Sequence, residues 1–253
     1  MSKPRIIAII PARMASTRFP GKPLAKIAGL PMVEHVRRRA LLSAVIDDAI
    51  VATCDQEIID ATRAFGGRAM MTASTHERCT DRVAEAADGE PAEIIVNVQG
   101  DEPLLRPDML EVLVEPMLQD PGLPCANLMA EITEDEAGSP NLVKVVCDLQ
   151  MHALYFSREP VPSRRKAGKL PIRWFKQLGI IAFRRDFLKI YTKLPPTPLE
   201  AIESVDMLRL VEHGYRIKMV PVEFSGLGVD TPQDLAQATE LMKADPWLAH
   251  YQS

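Results

Sequence analysis

This sequence predicts an α/β fold with a mostly parallel central sheet flanked by helices. Three observations carry that reading. Short β-branched apolar runs recur along the chain, stretches of helical periodicity alternate with them, and three such strand–helix units fall within about the first 70 residues.

Arg5 to Ile10 (RIIAII) has the composition of a central parallel strand, and Pro11, which lacks an N–H, is expected to end its ladder. Pro31 suits a first helical position, and Met32, Val33, Val36, Ala40 and Leu41 share one face of a helix reaching about Ala44. Ala49 to Ala52 returns to strand. Gln56 to Phe65 reads as a second helix, capped by Asp55 and stopped by Gly66 and Gly67, before a short strand at Arg68 to Met71. Thr80 to Ala87 is helical with Thr80 as a candidate cap, Glu93 to Val98 is a buried strand, and Pro107 to Asp120 is a helix. Cys125 to Ile132 and Val143 to Cys147 are candidate strands. The rhythm then breaks: Ser157 to Lys176 is rich in Pro, Arg and Lys, and Trp174 and Phe175 show no period. Gln177 to Phe183 resumes as strand, helices follow at about Asp186 to Lys193 and Glu200 to Gly214, Ile217 to Val222 is a strand, and the last helix starts near Pro232. Without an internal repeat or a linker, the expected organisation is a single domain over 1–253, with a less regular region at about 125–215 open to two uses, a subdomain inserted between sheet strands or a dimer contact.

A chain of 253 residues, 47% hydrophobic, can bury a substantial core. Its net charge of −4 argues against a general nucleic-acid binder and leaves room for a local basic pocket. No run of 18 apolar residues and no signal-peptide pattern occurs, so no membrane partner and a cytoplasmic location are expected. The 4 cysteines and 5 histidines lack metal-ligand spacing, which argues for reduced thiols and against structural zinc.

The loop after the first strand carries Arg13, Ser16, Thr17, Arg18, Gly21 and Lys22. It lies at a strand's carboxyl end, where open α/β sheets bind ligands, and its cationic, hydroxyl and backbone groups suit phosphate oxygens. A basic surface loop is the competing reading. Neither GxGxxG nor GxxxxGK[ST] is present, so a dinucleotide fingerprint and a P-loop are excluded. Gln99-Gly100-Asp101-Glu102 follows the strand IIVNV, placing carboxylates at the same sheet edge. Mg2+ commonly uses one or two protein carboxylates and completes its shell with water and phosphate, while turn chemistry is the alternative for Asp101. A third loop, GLGVDTP, holds Asp230 and Thr231, either of which is most simply an N-cap, unless the fold sets Asp230 opposite Asp101 so that two carboxylates flank one ion.

Taken together, IIPARMASTRFPGKPL, VNVQGDEPLL, NLVKVV, ALYFSR and GVDTPQDL resemble the CMP-Kdo synthetases, the 3-deoxy-manno-octulosonate cytidylyltransferases, over nearly the whole chain. The resemblance implies a Rossmann-like nucleotide-diphospho-sugar transferase fold, a homodimer, and Mg2+-dependent transfer of CMP from CTP to the anomeric hydroxyl of the anionic sugar acid Kdo. By motif matching, Arg13 and Lys22 meet the triphosphate in a loop shared with Ser16 and Arg18, Gln99 meets the acceptor, Asp101 and Asp230 hold the metal, and Arg158 meets acceptor or nucleotide.

Two segments depart from the family pattern. Where the family shows His-x-Ser-Gly-Thr-(Glu/Asp)-Arg, this chain reads His76-Glu77-Arg78-Cys79-Thr80-Asp81-Arg82, so Arg78, Thr80 and Arg82 are candidate substrate contacts in an altered loop. Where the family reads His-Leu-Gly-Ile-Tyr-Gly-Tyr, this chain has Gln177-Leu178-Gly179-Ile180-Ile181-Ala182-Phe183. The family's acidic Glu-x-x-Glu-Gln-Leu-Arg segment is here Glu203-Ser204-Val205-Asp206-Met207-Leu208-Arg209, with charge retained but reach shortened, and Glu200 and Glu203 are candidate substrate contacts. These departures concern the acceptor side, leaving open a different anion such as a modified octulosonate or a phosphonate; a non-catalytic nucleotide-binding regulator is the remaining alternative. The basic stretch from Arg164 to Lys176 reads as a solvated loop or as an attraction for an anionic acceptor.

Overall fold

The structure is a computed structural model that describes residues 3–252 apart from 17, 77, 224 and 225. Thr17 and Glu77, quoted above, lie outside the described residues. The chain forms two compact units, Met1–Val112 with Gly226–Ser253, and Leu113–Ser225.

The first unit opens with β1 (Ile6–Ala12), buried at all 7 positions because its apolar side chains point to both faces of a covered sheet. A small hairpin, β2 (Lys26–Ile27) and β3 (Leu30–Pro31), leads into α1 (Met32–Leu41). There follow β4 (Asp48–Thr53), α2 (Gln56–Ala64), β5 (Arg68–Met71), α3 (Cys79–Ala87), β6 (Ile94–Asn97) and α4 (Pro107–Gln119), within which the chain leaves this unit. Strand order is β6-β1-β4-β5, parallel throughout, with α1, α2 and α3 packed on it. The C-terminal helix Pro232–Lys243 returns to this unit and joins a core of Ile27, Met32, Leu104, Val229, Ala238 and Met242.

Pro11 does not end β1, contrary to expectation: the strand runs to Ala12, with Pro11 opposite Ala52. Ile9 accepts a bond from the Val98 N–H, so Ile9, and Pro11 two residues on, turn their polar groups toward β6, whose pairing ends at the Ile9–Asn97 step. The proline's missing N–H therefore faces a place where no ladder bond is owed. Asp55 stands at the N-cap of α2 but makes no side-chain cap bond; its Oδ2 instead accepts from the Met14 N–H at 2.7 Å. Helix α3 begins at Cys79 after Arg78, so Thr80 sits buried inside the first turn rather than capping it.

The second unit holds β7 (Cys125–Ile132), α5 (Glu134–Ala137), β8 (Lys144–Cys147), β9 (Ala153–Ser157), β10 (Trp174–Arg184), α6 (Arg185–Tyr191), α7 (Pro198–Glu203), α8 (Met207–Glu212) and β11 (Lys218–Val222). Its sheet is mixed: β7 pairs parallel with β11 and antiparallel with β10, while β8 pairs antiparallel with β10 and β9. β10 starts earlier than the residue pattern implied because Trp174 pairs with Ile132 and packs with it and Ala137. Trp174 is thus a core residue. The helix expected over Glu200 to Gly214 is two helices, broken at Ser204, which takes the left-handed conformation at φ 53°. Among the described residues, no helix is long and apolar enough to cross a membrane.

Candidate active site

Because β1 and β6 are parallel neighbours, the loops leaving their carboxyl ends emerge at one edge of the first unit's sheet. Gly21, in the left-handed region at φ 74°, turns the first loop back so that its N–H reaches Met14 O at 3.0 Å, and Lys22 follows in a short 3-10 turn. On the other side, Gly100 passes so close to β1 that a Cβ there would lie 2.9 Å from Pro11 O, which is why the turn before Asp101 has no side chain.

Three loops distant in sequence converge. Lys22 Nζ donates to Asp101 Oδ2 at 2.7 Å, Val229 O at 3.0 Å and Asp230 Oδ1 at 3.1 Å. The Val229 N–H donates to Asp101 O at 2.8 Å, locking the second and third loops together, and Arg18 Nη2 lies 2.9 Å from Asp230 Oδ2. The two readings of Asp230 separate here. Thr231 caps the C-terminal helix in a reciprocal box with Asp234, which leaves the Asp230 carboxylate for Lys22 and Arg18. Burial by itself would lower the Lys22 pKa; the charge and hydrogen bond of Asp101, then those of Asp230, outweigh it and raise it.

Two carboxylates and a carbonyl around one cationic centre form an all-oxygen donor set of the kind Mg2+ uses when substrate phosphates supply further ligands. No group of three or more His, Cys, Asp or Glu suited to a metal occurs among the described residues.

The other loop residues are placed as follows. Arg13 is exposed, and Ser16 Oγ accepts from the Phe19 N–H at 3.4 Å. Gln99 Nε2 meets Cys79 Sγ at 3.3 Å, so the cysteine that replaces the family's glycine touches the expected acceptor residue. Arg78 is half-buried at the start of α3. Thr80 is buried, and Arg82, also buried, donates to the Thr72 hydroxyl; both brace this loop from inside.

In the second unit, the Arg158 guanidinium is engaged by backbone carbonyls, Glu203 O at 2.7 Å and Pro140 O at 3.0 Å among them. The Glu203 carboxylate accepts from the Arg158 N–H at 2.8 Å, Ser157 Oγ at 3.0 Å and Tyr155 OH at 3.1 Å. Burial pushes the Glu203 pKa up, but these three donors and the Arg158 charge bring it below the usual value. Glu200 is only 2% exposed and forms a two-pronged pair with Arg209 at 2.6 and 2.8 Å, so its carboxylate holds α7 to α8 and is not presented to a ligand. Gln177 Nε2 donates to Asn127 Oδ1 at 2.7 Å. In the basic stretch Arg164 pairs with Glu134 and Arg173 with Glu131, which neutralises part of it.

Two structurally decisive residues, Asn127 and Lys144, escaped the sequence reading, and a third, Asp55, reads there only as a helix cap. Asp55 anchors the first loop, Asn127 bridges Leu178 O and Ile180 O where β10 shifts register, and fully buried Lys144 donates to Ser139 O, Leu142 O and Arg158 O. For Lys144 a signal existed: a lysine inside the apolar run LVKVV requires internal acceptors.

A family described as cytidylyltransferase matches residues 7–217. The 3-deoxy-manno-octulosonate cytidylyltransferase of Geobacter sulfurreducens is 47% identical over 250 residues, 94% of this chain and 99% of the relative. That of Geobacter metallireducens is 46% identical over 248 residues, 93% and 97% of the two chains. The solved structure of a CMP:2-keto-3-deoxy-manno-octonic acid synthetase complexed with CTP superposes with a TM-score of 0.91 at 44% identity, covering 95% of this chain and 99% of that one. A cytidylyltransferase from Leptospira borgpetersenii, 18% identical with a TM-score of 0.61 over 98% of both chains, shares the fold.

Proposed function

The chain belongs to the cytidylyltransferase family, and we propose that it transfers CMP from CTP to the anomeric hydroxyl of 3-deoxy-manno-octulosonate, releasing pyrophosphate. The observation that carries the reading is the meeting of Lys22, Asp101 and Asp230 on three separate loops. The acceptor hydroxyl oxygen attacks the α-phosphorus and gives up its proton to solvent, the bond from that phosphorus to the bridging oxygen breaks, and pyrophosphate leaves. Nothing in this step needs a covalent enzyme intermediate.

Lys22, Arg18 and Arg13 supply positive charge where the triphosphate gathers negative charge, and Gln99 offers its carboxamide to the acceptor. Asp101 and Asp230 would hold Mg2+, which when bound supplies charge neutralisation at the phosphates. Catalysis by this chain's own groups is then alignment and electrostatic stabilisation. A homodimer in the cytoplasm is part of the same proposal, supported by the family resemblance of the whole chain.

The test is pyrophosphate release from CTP and Mg2+ with a panel of anionic acceptors. The reading expects Kdo to be preferred, and Asp101→Asn to reduce kcat roughly 10²–10³-fold with unchanged circular dichroism, the scale of losing one preorganised electrostatic group. Turnover with another anion and none with Kdo would replace the acceptor; near-normal turnover of the variant would remove Asp101 from the mechanism.

A further inference from the structure

We infer that Lys22 is the site's built-in counter-cation, that its ammonium and a divalent ion compete for one seat, and that divalent binding is thereby made dependent on the nucleotide. Three oxygens converge on Nζ at 2.7–3.1 Å, two from carboxylates and one from the Val229 carbonyl. That is the donor set a hard cation takes, and a protein cation occupies it. The seat is well made. Asp101 and Asp230 are brought together by the Val229 N–H bond to Asp101 O, and the unfavourable approach of two carboxylates is offset by Lys22 on one side and Arg18 on Asp230 Oδ2 on the other. Lys22 is 13% exposed, so its charge is partly removed from water and its hold on the pair is correspondingly strong.

A divalent ion entering this seat must displace the ammonium or share oxygens with a positive charge in contact with them. Either costs affinity, in the way a protein pays for binding through a minor competent state. The lysine stem is flexible and its head is a point charge that any set of anionic oxygens can receive. A triphosphate is such a set. When it arrives, the Lys22 and Arg18 charges gain phosphate acceptors, both carboxylates are released, and phosphate oxygens become available to complete an ion's shell. Linkage then requires that the ion strengthen nucleotide binding by the same factor. This coupling rests on the CTP reading above; the competition between Lys22 and the ion does not.

The experiment uses Mn2+ as the probe, with free ion followed by electron paramagnetic resonance and heat by calorimetry, on the full chain without any acceptor. Without nucleotide, Lys22→Met is expected to bind Mn2+ at least about tenfold more tightly than the wild type, within the usual span for linked sites. Lys22→Arg should stay as weak as the wild type, and the double change Lys22→Met with Asp101→Asn should lose the gain. Thermal unfolding reads the same competition independently: Mn2+ should raise the melting temperature of Lys22→Met well above any shift it gives the wild type. Adding CTP should tighten Mn2+ binding to the wild type by about tenfold or more and to Lys22→Met by much less. Equal Mn2+ affinities of wild type and Lys22→Met without nucleotide would overturn the inference, whether or not CTP is turned over. Tightening in Lys22→Met with no effect of CTP on the wild type would keep the competition and overturn the coupling. Should Lys22→Met not fold, Lys22→Gln carries the same arms, and tight nucleotide-free Mn2+ binding by the wild type alone would be decisive against the idea.

Discussion

Removing one oxygen atom, by Tyr251→Phe, should destabilise the first unit more than any surface change. The ring of Tyr251 is 6% exposed and its hydroxyl joins two buried groups, His35 Nδ1 at 2.8 Å and Arg39 Nε at 2.9 Å. The tautomer follows from chemistry: His35 Nε2 lies 2.7 Å from Ile27 O, which can only accept, so Nε2 carries the proton and Nδ1 accepts from the tyrosine. The tyrosine oxygen in turn accepts from Arg39. Phenylalanine keeps the ring and opens little space, but it leaves one buried acceptor and one buried donor unpaired. At about 1–3 kcal/mol each, and with Arg39 still held by Asp245 at 2.9 Å, the expected loss is about 2–4 kcal/mol. For a chain of this size that is a fall of about 5–15 °C in melting temperature. Urea unfolding at constant m-value and calorimetry would measure it. A change below about 0.5 kcal/mol, the usual range for surface positions, would refute the claim that this hydroxyl is the acceptor and donor linking α1 to the C-terminal segment.

Three further outcomes follow from the same geometry. Burial is the largest influence on His35 and lowers its pKa, aided by Arg39, against the Ile27 bond and Glu34, so the folded ring stays neutral while the unfolded ring takes a proton below about pH 6.5. Its contribution to stability is therefore present above that pH and lost on acidification below it; urea midpoints from pH 7.5 to 5 should fall, and His35→Asn should flatten the trend. Gly100→Ala puts a methyl 2.9 Å from a backbone oxygen that cannot rotate away, so unfolding free energy should drop by about 1–3 kcal/mol and kcat should fall as Asp101 is displaced; unchanged kcat would show that the loop relaxes. Asp55→Ala removes the carboxylate that holds the Met14 N–H, a bond worth about 1.5–3 kcal/mol, and is expected to raise KM for CTP about tenfold or more in steady-state assays with a smaller change in kcat.

What the sequence disclosed was whatever depends on local periodicity and on short motifs. β1, β4 and β6 are legible because strands covered on both faces carry short runs of consecutive apolar residues, and the loops after β1 and β6 are legible because charged residues follow those runs within a few positions. What stayed hidden depends on partners remote in the chain. Pro11 is tolerated inside β1 only because β6 stops two residues earlier. Trp174 belongs to a strand only because Ile132 lies across from it. The choice between Asp230 and Thr231 as cap was undecidable from GVDTP, since both residue types cap helices, and it was decided by Asp234 one turn further on.

The departures from the family pattern read differently once their partners are known. Gln177 stands where the family has histidine, yet it retains a polar group whose donor is fixed by Asn127, and Asn127 is itself held by two carbonyls at the register shift of β10. The orientation of the Gln177 carboxamide is thereby set, leaving its oxygen as the atom not used in the Asn127 bond. Cys79, in place of glycine, fills its added volume against Gln99 rather than standing apart from it. These two substitutions change how a polar group is supported, whereas Ile181 and Phe183, standing where the family has tyrosines, remove hydroxyls outright. A retained polar group with altered support shifts affinity modestly, whereas outright loss of a hydrogen-bonding group acts strongly against a hydroxylated acceptor. Identity of 46% and 47% to two Kdo-named relatives, over 93% and 94% of this chain, is what favours the usual sugar acid over a different anion, against the loss of those two hydroxyls.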